Sequence, residues 1–189
     1  MNVQLEKEMN LDWLLGFIEG EGSFGIRASK SKSAKFKCHL CPWFKISQKE
    51  KEVLKKITIF LEKQNIKVRV SIQSNEKRKK EYGWNCSDSH IVYTNCVSDC
   101  LKIRNLLRNL NWQTNKYEVF CMWSTCLDMI KEGRHNTVEG FLEICKIRDK
   151  MNKNRPKGYR TYSDMCKLLG IWGNDTLKYG EGEEGKCEE

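Results

Sequence analysis

The segment that constrains this chain most is residues 14–22, which read Leu-Leu-Gly-Phe-Ile-Glu-Gly-Glu-Gly. Its apolar residues have helical spacing, and Gly16 and Gly20 lie four residues apart, on one face of such a helix. Each glycine costs a soluble helix roughly 1 kcal/mol relative to alanine, so two at this spacing need a reason. The missing side chains allow a second helix to approach closely. The segment therefore predicts a helix that packs against another helix along its glycine face.

Two acidic residues, Glu19 and Glu21, lie two residues apart at the end of this helix, so their side chains point in different directions. A carboxylate at this end faces the negative pole of the helix dipole, which is unfavourable. A divalent cation would relieve the conflict by binding the Glu21 carboxylate together with the Gly20 carbonyl oxygen, because Mg²⁺ and Ca²⁺ prefer oxygen ligands. The pattern therefore predicts a metal site here, and Gly22 allows the abrupt turn that follows.

The rest of the sequence switches between helical and extended periodicity in a regular order. Helical spacing predicts helices over 11–19, 50–64, 97–110, 116–131, 138–151 and 162–169, and extended patterns predict strands over 23–28, 36–47, 66–72 and 90–94. Asn10 is the expected N-cap of the first helix, and Pro42 marks an edge, a bulge or a break in the second strand. The order α-β-β-α-β-β-α, followed by C-terminal helices, predicts an α+β fold whose four-stranded antiparallel sheet has one open face.

The charge of the chain indicates an anionic partner. The 189 residues carry a net charge of +9 with a pI near 9.0, and the last ten contribute −4, which leaves +13 for residues 1–179. A body this basic prefers polyanions, nucleic acid first, although surplus surface lysine gives the same number. No stretch has the length and hydrophobicity of a membrane span, and the first ten residues lack the arginines of a transit peptide. We therefore expect no membrane partner and action where the chain is made.

Composition divides the chain into three parts. Residues 1–152 contain the alternating helices and strands and are expected to form the main domain. Residues 153–178 are expected to form a basic turn and a short C-terminal helix. Residues 179–189 are rich in Gly and Glu and predict an acidic, disordered tail.

Ten cysteines raise the question of a zinc site. Cys38 and Cys41 form one close pair and Cys96 and Cys100 another, so a zinc-stabilised nucleic-acid module is one interpretation. The spacing is irregular, and most of the cysteines have apolar neighbours in the sequence. Reduced thiols in a core are therefore the interpretation that we prefer.

Residues 13–24, Trp-Leu-Leu-Gly-Phe-Ile-Glu-Gly-Glu-Gly-Ser-Phe, resemble the LAGLIDADG motif, and the element order agrees over about residues 10–150. The resemblance implies an intron-encoded homing endonuclease, a metal-dependent hydrolase that makes a double-strand break in DNA. In that family the motif helices pair at the centre of a dimer or pseudo-dimer. One full motif implies a homodimer and a near-palindromic target. The helices would then meet through Leu15, Gly16, Glu19 and Gly20.

The resemblance also implies roles for single residues. The eighth motif position holds the metal-binding acid, which is Glu21 here rather than the common Asp, and Gly20 would add its carbonyl oxygen. Mg²⁺ is the implied cofactor, with Ca²⁺ able to occupy the site without cleavage. Gln48 matches the hydrogen-bonding residue at the end of the second strand, which would position the attacking water. Lys116 matches the basic residue of the family site, and Asn115 and Thr114 are the alternative alignments.

Family members lay their strands in the major groove of double-stranded DNA. The implied base-facing residues are Arg27, Ser29, Lys37, Arg69, Ser71 and Gln73. The implied phosphate contacts are Lys30, Lys32, Lys77, Arg78, Lys79 and Lys80. A solvated sheet face is the alternative for the strands, and a localisation signal or a solvated loop is the alternative for residues 77–80.

Two other functions are compatible with the same resemblance. The family includes RNA maturases that assist intron splicing, and a DNA-binding protein without cleavage activity could use the same fold. The presence of Glu21 favours cleavage, because a protein that only binds does not need this acid. Family habit also implies that an organelle intron encodes the chain and that it acts in the matrix of a mitochondrion or chloroplast.

Overall fold

A computed structural model describes residues 9–74, 88–151 and 160–170. Its helices are α1 (Leu11–Glu21), α2 (Lys51–Lys63), α3 (Val97–Leu107), α4 (Lys116–Lys131), α5 (Val138–Met151) and α6 (Tyr162–Leu168). Its strands are β1 (Gly22–Lys30), β2 (Cys38–Gln48), β3 (Arg69–Gln73) and β4 (Ser89–Thr94), and a 3₁₀ turn at Arg134–Asn136 precedes α5. The predicted order of the elements is confirmed. The predictions for residues 77–80 and for the acidic tail lie outside the described residues.

The four strands form one antiparallel sheet in the order β1-β2-β4-β3. In the β1–β2 hairpin Gly22 pairs with Ile46, and in the centre of the sheet Phe44 pairs with Thr94. The predicted α+β class and the four-stranded antiparallel sheet are therefore confirmed.

One face of the sheet carries the hydrophobic core, because successive side chains of a strand point to opposite faces. Phe24 on β1, Phe44 on β2 and Val92 on β4 are buried against the helices, where Leu14 of α1 and Trp123 of α4 are also fully buried. The opposite face is open. This arrangement places the end of α1 at the first residue of β1, at the margin of the open face.

Two strand boundaries differ from the predictions for backbone reasons. The second strand begins at Cys38 rather than at residue 36, because Lys37 has a left-handed φ of +52° that an extended strand does not accommodate. The third strand begins at Arg69 rather than at residue 66, after Asn65 with φ +58°. Pro42 lies in the part of β2 that pairs with β1, ahead of the residues paired with β4, and this edge position needs no backbone N–H donor.

The C-terminal helices extend the same core. The ring of Phe141 on α5 lies 4.9 Å from that of Phe36, and Met165 of α6 is fully buried. The guanidinium of Arg148, which is 1% exposed, donates to the carbonyl oxygen of Arg160 and so ties α5 to the start of α6. None of the helices in the described ranges is long and apolar enough to span a membrane.

Candidate active site and nucleic-acid interface

The site begins with the way that α1 passes into β1 without a linker. Asn10 caps α1, its side-chain oxygen accepting from the Trp13 N–H at 2.7 Å, as predicted. At the other end the Gly22 N–H donates to the Ile18 carbonyl oxygen. A Cβ on Gly22 would lie 2.7 Å from that oxygen, so only glycine allows strand β1 to start directly at the last helical turn. This junction fixes Glu21 at the end of α1.

The Glu21 side chain is exposed and makes no hydrogen bond or ion pair with any other described residue. The Glu21 carboxylate interacts electrostatically with the Lys116 ammonium group. A carboxylate at the negative end of a helix dipole, with solvent on its other side, is available to a cation. The neighbouring Gly20 is also exposed, so its carbonyl oxygen can contribute to the same cation.

Lys116, the first residue of α4, closes the same end of α1. Its Nζ donates to the carbonyl oxygens of Ile18, Gly20 and Gly22 at 3.1, 3.4 and 2.7 Å. Burial lowers the pKa of Lys116, and the negative charge of Glu21 opposes this shift. A cation at this position complements the helix dipole and lies beside the candidate metal-binding acid.

Glu19 has a different role from Glu21. Its Oε1 accepts from the backbone N–H groups of Gln113 and Thr114, at 2.8 and 2.7 Å, and from the Thr114 hydroxyl at 2.9 Å. Burial raises the pKa of Glu19, but these hydrogen bonds and the charge of Lys116 together lower it by more, so the net shift is downward. The pKa of Glu19 falls because its hydrogen bonds outweigh desolvation. The pKa of Lys116, which is more buried, falls because desolvation outweighs the attraction of the glutamates.

Glu19 thus holds the loop that precedes Lys116 and places this lysine against the end of α1. The carboxylate holds residues 113 and 114, three and two positions before the lysine. Of the three alignments left open by the sequence, Lys116 is the residue that contacts the end of α1, Thr114 binds Glu19, and Asn115 precedes α4.

An open pocket of about 810 Å³ lies beside this cluster, where the start of β1 meets the start of α4. Its walls combine two ammonium groups with hydroxyl, amide and aromatic side chains, a composition suited to an anion. The lining residues are Gly22, Ser23, Phe24, Trp43, Lys45, Thr114, Asn115, Lys116 and Val119.

Gln48 lies at the end of β2, two residues beyond the Ile46 partner of Gly22. This register puts it level with the C-terminal end of α1. Its Oε1 accepts from the Lys49 N–H at 2.7 Å, a contact that leaves its amide N–H groups for other partners. The structure therefore brings Gln48, Glu21 and Lys116 to one end of the sheet.

Glu21 and Gly20 supply the hard oxygen donors that a divalent cation prefers, but one chain supplies few of them. Within the described ranges no group of three or more His, Cys, Asp and Glu residues could hold a metal ion. Cys38, Cys41, Cys96 and Cys100 are all described residues, and they do not come together as the zinc site that was considered. Among the described residues, a metal at Glu21 would therefore find few protein ligands beyond Glu21 itself and the Gly20 carbonyl oxygen.

The open face of the sheet carries five of the six predicted base-facing residues. Arg27 and Ser29 alternate with the buried Ile26 of β1, and Arg69, Ser71 and Gln73 alternate with two β3 residues on the helix side. The remaining lysines lie at the end of β1 or beyond it. Lys30 ends the strand, Lys32 is in the following loop, and Lys37 donates to the Lys32 carbonyl oxygen from its left-handed position before β2.

One face of α1 has no partner in the described part of the chain. Trp13 is 46% exposed and stacks on Phe17 with ring centroids 5.1 Å apart, and a Cβ built on Gly16 or Gly20 would meet no described atom within 4 Å beyond its chain neighbours and the backbone of α1. Leu15, by contrast, is 3% exposed and packs inward. Leu15 and Glu19, which were predicted to join the two glycines at a dimer interface, thus differ from them because both are engaged within the single chain.

Sequence reasoning missed Trp13, which is exposed on this face, and Phe17, which is half-buried at its edge and also packs against the core. The signal that could have found them is their spacing, because residues 13, 16, 17 and 20 share one side of a helix. The exposed ring of Trp13, stacked on the half-buried Phe17, gives the face an apolar surface beside the two glycines. Such a surface on a soluble domain marks an interaction site.

Comparison with known proteins agrees with the motif and the fold. The model of the LAGLIDADG endonuclease family matches residues 14–127. No curated protein matches the sequence. The crystal structure of the homing endonuclease I-TnaI has a TM-score of 0.66 at 22% identity, over 86% of this chain and 97% of its own.

Two further solved structures are DNA complexes. The archaeal intron-encoded homing endonuclease I-Vdi141I, complexed with DNA, has a TM-score of 0.68 at 25% identity, over 85% of this chain and 92% of its own. I-SmaMI, bound to an uncleaved DNA target in the presence of calcium ions, has a TM-score of 0.66 at 16% identity and is spanned over 49% of its length. The family match over more than half of the sequence, supported by this fold, shows that the chain belongs to the LAGLIDADG endonuclease family.

Proposed function

We propose that the chain is a homing endonuclease that works as a homodimer and cuts both strands of a long, near-palindromic DNA site with the help of Mg²⁺. The observation that carries this proposal is the position of Glu21. Its exposed carboxylate has no hydrogen-bond or ion-pair partner in the described chain and directly follows the exposed face of α1 that contains Gly16 and Gly20.

Pairing two copies along that face would bring the two acids together. Helices that pack through ordinary side chains have axes about 8–10 Å apart, and glycines permit a closer approach. Because Gly20 directly precedes Glu21, a two-fold axis beside Gly20 would place one carboxylate on each side of it. The two acids and the phosphate oxygens of DNA would then complete an oxygen-rich ligand set.

The side chains around Glu21 suit phosphodiester hydrolysis. A divalent cation held by Glu21 and the Gly20 carbonyl oxygen supplies Lewis acidity toward water and the phosphate. The Gly20 oxygen has two lone pairs, so its 3.4 Å contact with Lys116 does not exclude this role. Lys116 would stabilise the charge that develops on the phosphate, and Gln48 would orient the attacking water.

The open face supports double-stranded DNA as the substrate. Arg27 and Arg69 lie on its outer strands, Lys45 lies between them, and the chain carries a net charge of +9. The DNA in the I-Vdi141I complex and the calcium ions in the I-SmaMI complex support the same partners for this chain. Action in an organelle matrix remains a prediction from family habit.

The test is to select cleaved sites from a randomised DNA library with the full chain in Mg²⁺, and then to measure cleavage of the selected site. We expect cleavage to require a divalent cation and to be lost in EDTA. Glu21→Gln should abolish cleavage and retain DNA binding, and Glu62→Gln, which alters an exposed acid on α2, is the matched control. Cleavage by Glu21→Gln would refute the assigned metal ligand.

Two outcomes would support the other functions. A chain that binds a DNA site tightly but leaves it intact with Mg²⁺, Mn²⁺ or Co²⁺ is a DNA-binding protein without cleavage activity. A chain that binds a structured intron RNA more tightly than any selected DNA is a maturase. Either result would overturn the proposed cleavage reaction.

A further inference from the structure

Three side chains form an apolar island on the open face of the sheet, where most neighbours are polar. Ile91 and Tyr93 are two residues apart on β4, so they share that face. Trp43 lies on the adjacent β2, next to Lys45, which pairs with Tyr93. All three apolar residues are half-buried, although none of the described helices covers this side of the sheet.

The Trp43 ring is held in place by the absence of a side chain on the neighbouring strand. Gly25 pairs with Trp43, and a Cβ built on Gly25 would lie 2.5 Å from the indole ring. The Lys45 ammonium group lies 5.9 Å from the ring centroid on the same strand. The indole therefore fills a space that only glycine leaves open, and its position on the face is defined before any ligand binds.

The island forms the floor of a pocket of about 330 Å³ whose rim is polar. Among the described residues that line it, the charged ones are the cations Arg27 and Lys45, and Ser71 and Asn95 provide further hydrogen-bonding groups. The pocket adjoins the proposed base-facing residues Arg27 and Ser71. It therefore fits an anionic polymer that presents an apolar group at its edge, rather than a second protein surface.

In the major groove of DNA that apolar group is the C5-methyl of thymine, because the other base edges there present hydrogen-bond donors and acceptors. We propose that the pocket of Trp43, Ile91 and Tyr93 binds the C5-methyl group of a pyrimidine in double-stranded DNA. The inference rests on the proposed function and adds a specificity determinant to it. The same chemistry is offered by thymine and by 5-methylcytosine.

Double-helical RNA does not fit this pocket. Its major groove is deep and narrow and cannot be read by side chains, and uracil lacks the methyl group. Stacking of an unpaired base on Trp43 would require Lys45 to leave the ring. Base edges in a major groove would meet the pocket without displacing Lys45 from the Trp43 ring.

The test uses the dimer of the full chain, its Glu21→Gln variant to prevent cleavage, and the selected DNA site. Thymine is replaced by uracil one position at a time, in both half-sites, which removes only the methyl group. Burial of one methyl contributes about fourfold in affinity, so loss of one in each half-site should weaken binding about sixteenfold. At each sensitive position, cytosine and 5-methylcytosine then separate the two sources of the methyl group.

Two substitutions connect the effect to the pocket. Ile91→Ser should remove the preference for thymine over uracil, and Val70→Ser is the matched control, because Val70 is 53% exposed on the helix side of the same hairpin. If Ile91→Ser does not fold, Trp43→Phe is measured instead. It keeps an aromatic ring and should weaken the preference for thymine over uracil. Circular dichroism establishes folding in each case.

Equal affinity for thymine and uracil at every position would overturn the inference, as would an unchanged preference in a folded Ile91→Ser protein. Tighter binding to an RNA of the same sequence would also overturn it. These results differ from failure of the proposed function, in which no thymine-containing DNA is bound or cut.

Discussion

The Lys116 ammonium group lies 2.7 Å from the carbonyl oxygen of Gly22, the first residue of β1. A side chain from α4 thus closes the end of α1 and contacts the backbone on both sides of Glu21. The residue proposed to stabilise the phosphate is therefore held by the same backbone segment that carries the proposed metal-binding acid. Catalytic geometry and local stability are coupled at this point.

Replacing the lysine should separate these two contributions. Lys116→Met keeps an unbranched chain but removes the charge, so we expect the single-turnover cleavage rate to fall about 100-fold with little change in DNA affinity. Three carbonyl oxygens also lose a donor, which should lower the free energy of unfolding by about 1–3 kcal/mol in urea titrations. Lys56→Met, on the exposed side of α2, is the control and should change neither quantity. A fully active Lys116→Met protein would contradict the assigned role.

Glu19→Gln should affect the site through Lys116. The amide cannot accept three hydrogen bonds as strongly as the carboxylate does, so the loop at residues 113 and 114 loosens and cleavage slows about tenfold. The single-turnover rate constant should fall while the dissociation constant for DNA stays the same. A loss of affinity that accounts for the whole defect would instead indicate a direct DNA contact.

The same residue gives a pH dependence. Because the pKa of folded Glu19 lies below 4.5, its contribution to stability is present above that pH and is lost as the pH falls through the folded value. Urea titrations between pH 6 and pH 3 should therefore show a smaller loss of stability for Glu19→Gln than for the native chain. Glu62→Gln, in which the altered acid has no such clasp, should follow the native curve.

Local patterns predicted the elements whose boundaries are set locally. The bounds of α4 and α5 agree with the predicted ranges 116–131 and 138–151, because helical periodicity alone determines them. The predicted start of the third strand at residue 66 was wrong, because a strand extends only where it has a partner and β4 pairs with residues 69–73. Ile66 continues the alternation but is buried before the strand begins.

The candidate site divides in the same way. Glu21 and Lys116 could be proposed from the sequence because the motif fixes one and the resemblance aligns the other. The clasp of Glu19 on Thr114 and the fit of Trp43 over Gly25 join residues 95 and 18 positions apart, and no periodicity records such contacts. The inward position of Leu15 was missed because two faces of α1 are apolar, and only the fold decides which one is covered.

The buried cysteines should be protected from alkylation. Burial raises the pKa of Cys100, Cys126 and Cys145 to about 12, from an ordinary value near 9. Because the thiolate is the reactive form, iodoacetamide at pH 8 should modify them about 1000-fold more slowly than an ordinary thiol. Peptide mass spectrometry should find the exposed Cys121 modified before these three cysteines, with all four labelled at similar rates in urea. Rapid native labelling of Cys126 would contradict the burial of this cluster.

Gly16→Leu should have opposite effects on stability and on assembly. Apart from the chain neighbours and the backbone of α1 itself, no described atom lies within 4 Å of a Cβ at this position, so the leucine fits the single chain and its helix propensity should stabilise α1 by up to about 1 kcal/mol. The same side chain would project from the face proposed to receive the partner helix, where close approach requires glycine. Sedimentation velocity should therefore show a monomer that unfolds at higher urea concentration than native protein diluted to the monomeric state, and cleavage should be lost with the second Glu21. Gly16→Ala, which adds one methyl group, should weaken the dimer less. A dimeric, active Gly16→Leu protein would show that the chain assembles through a different surface.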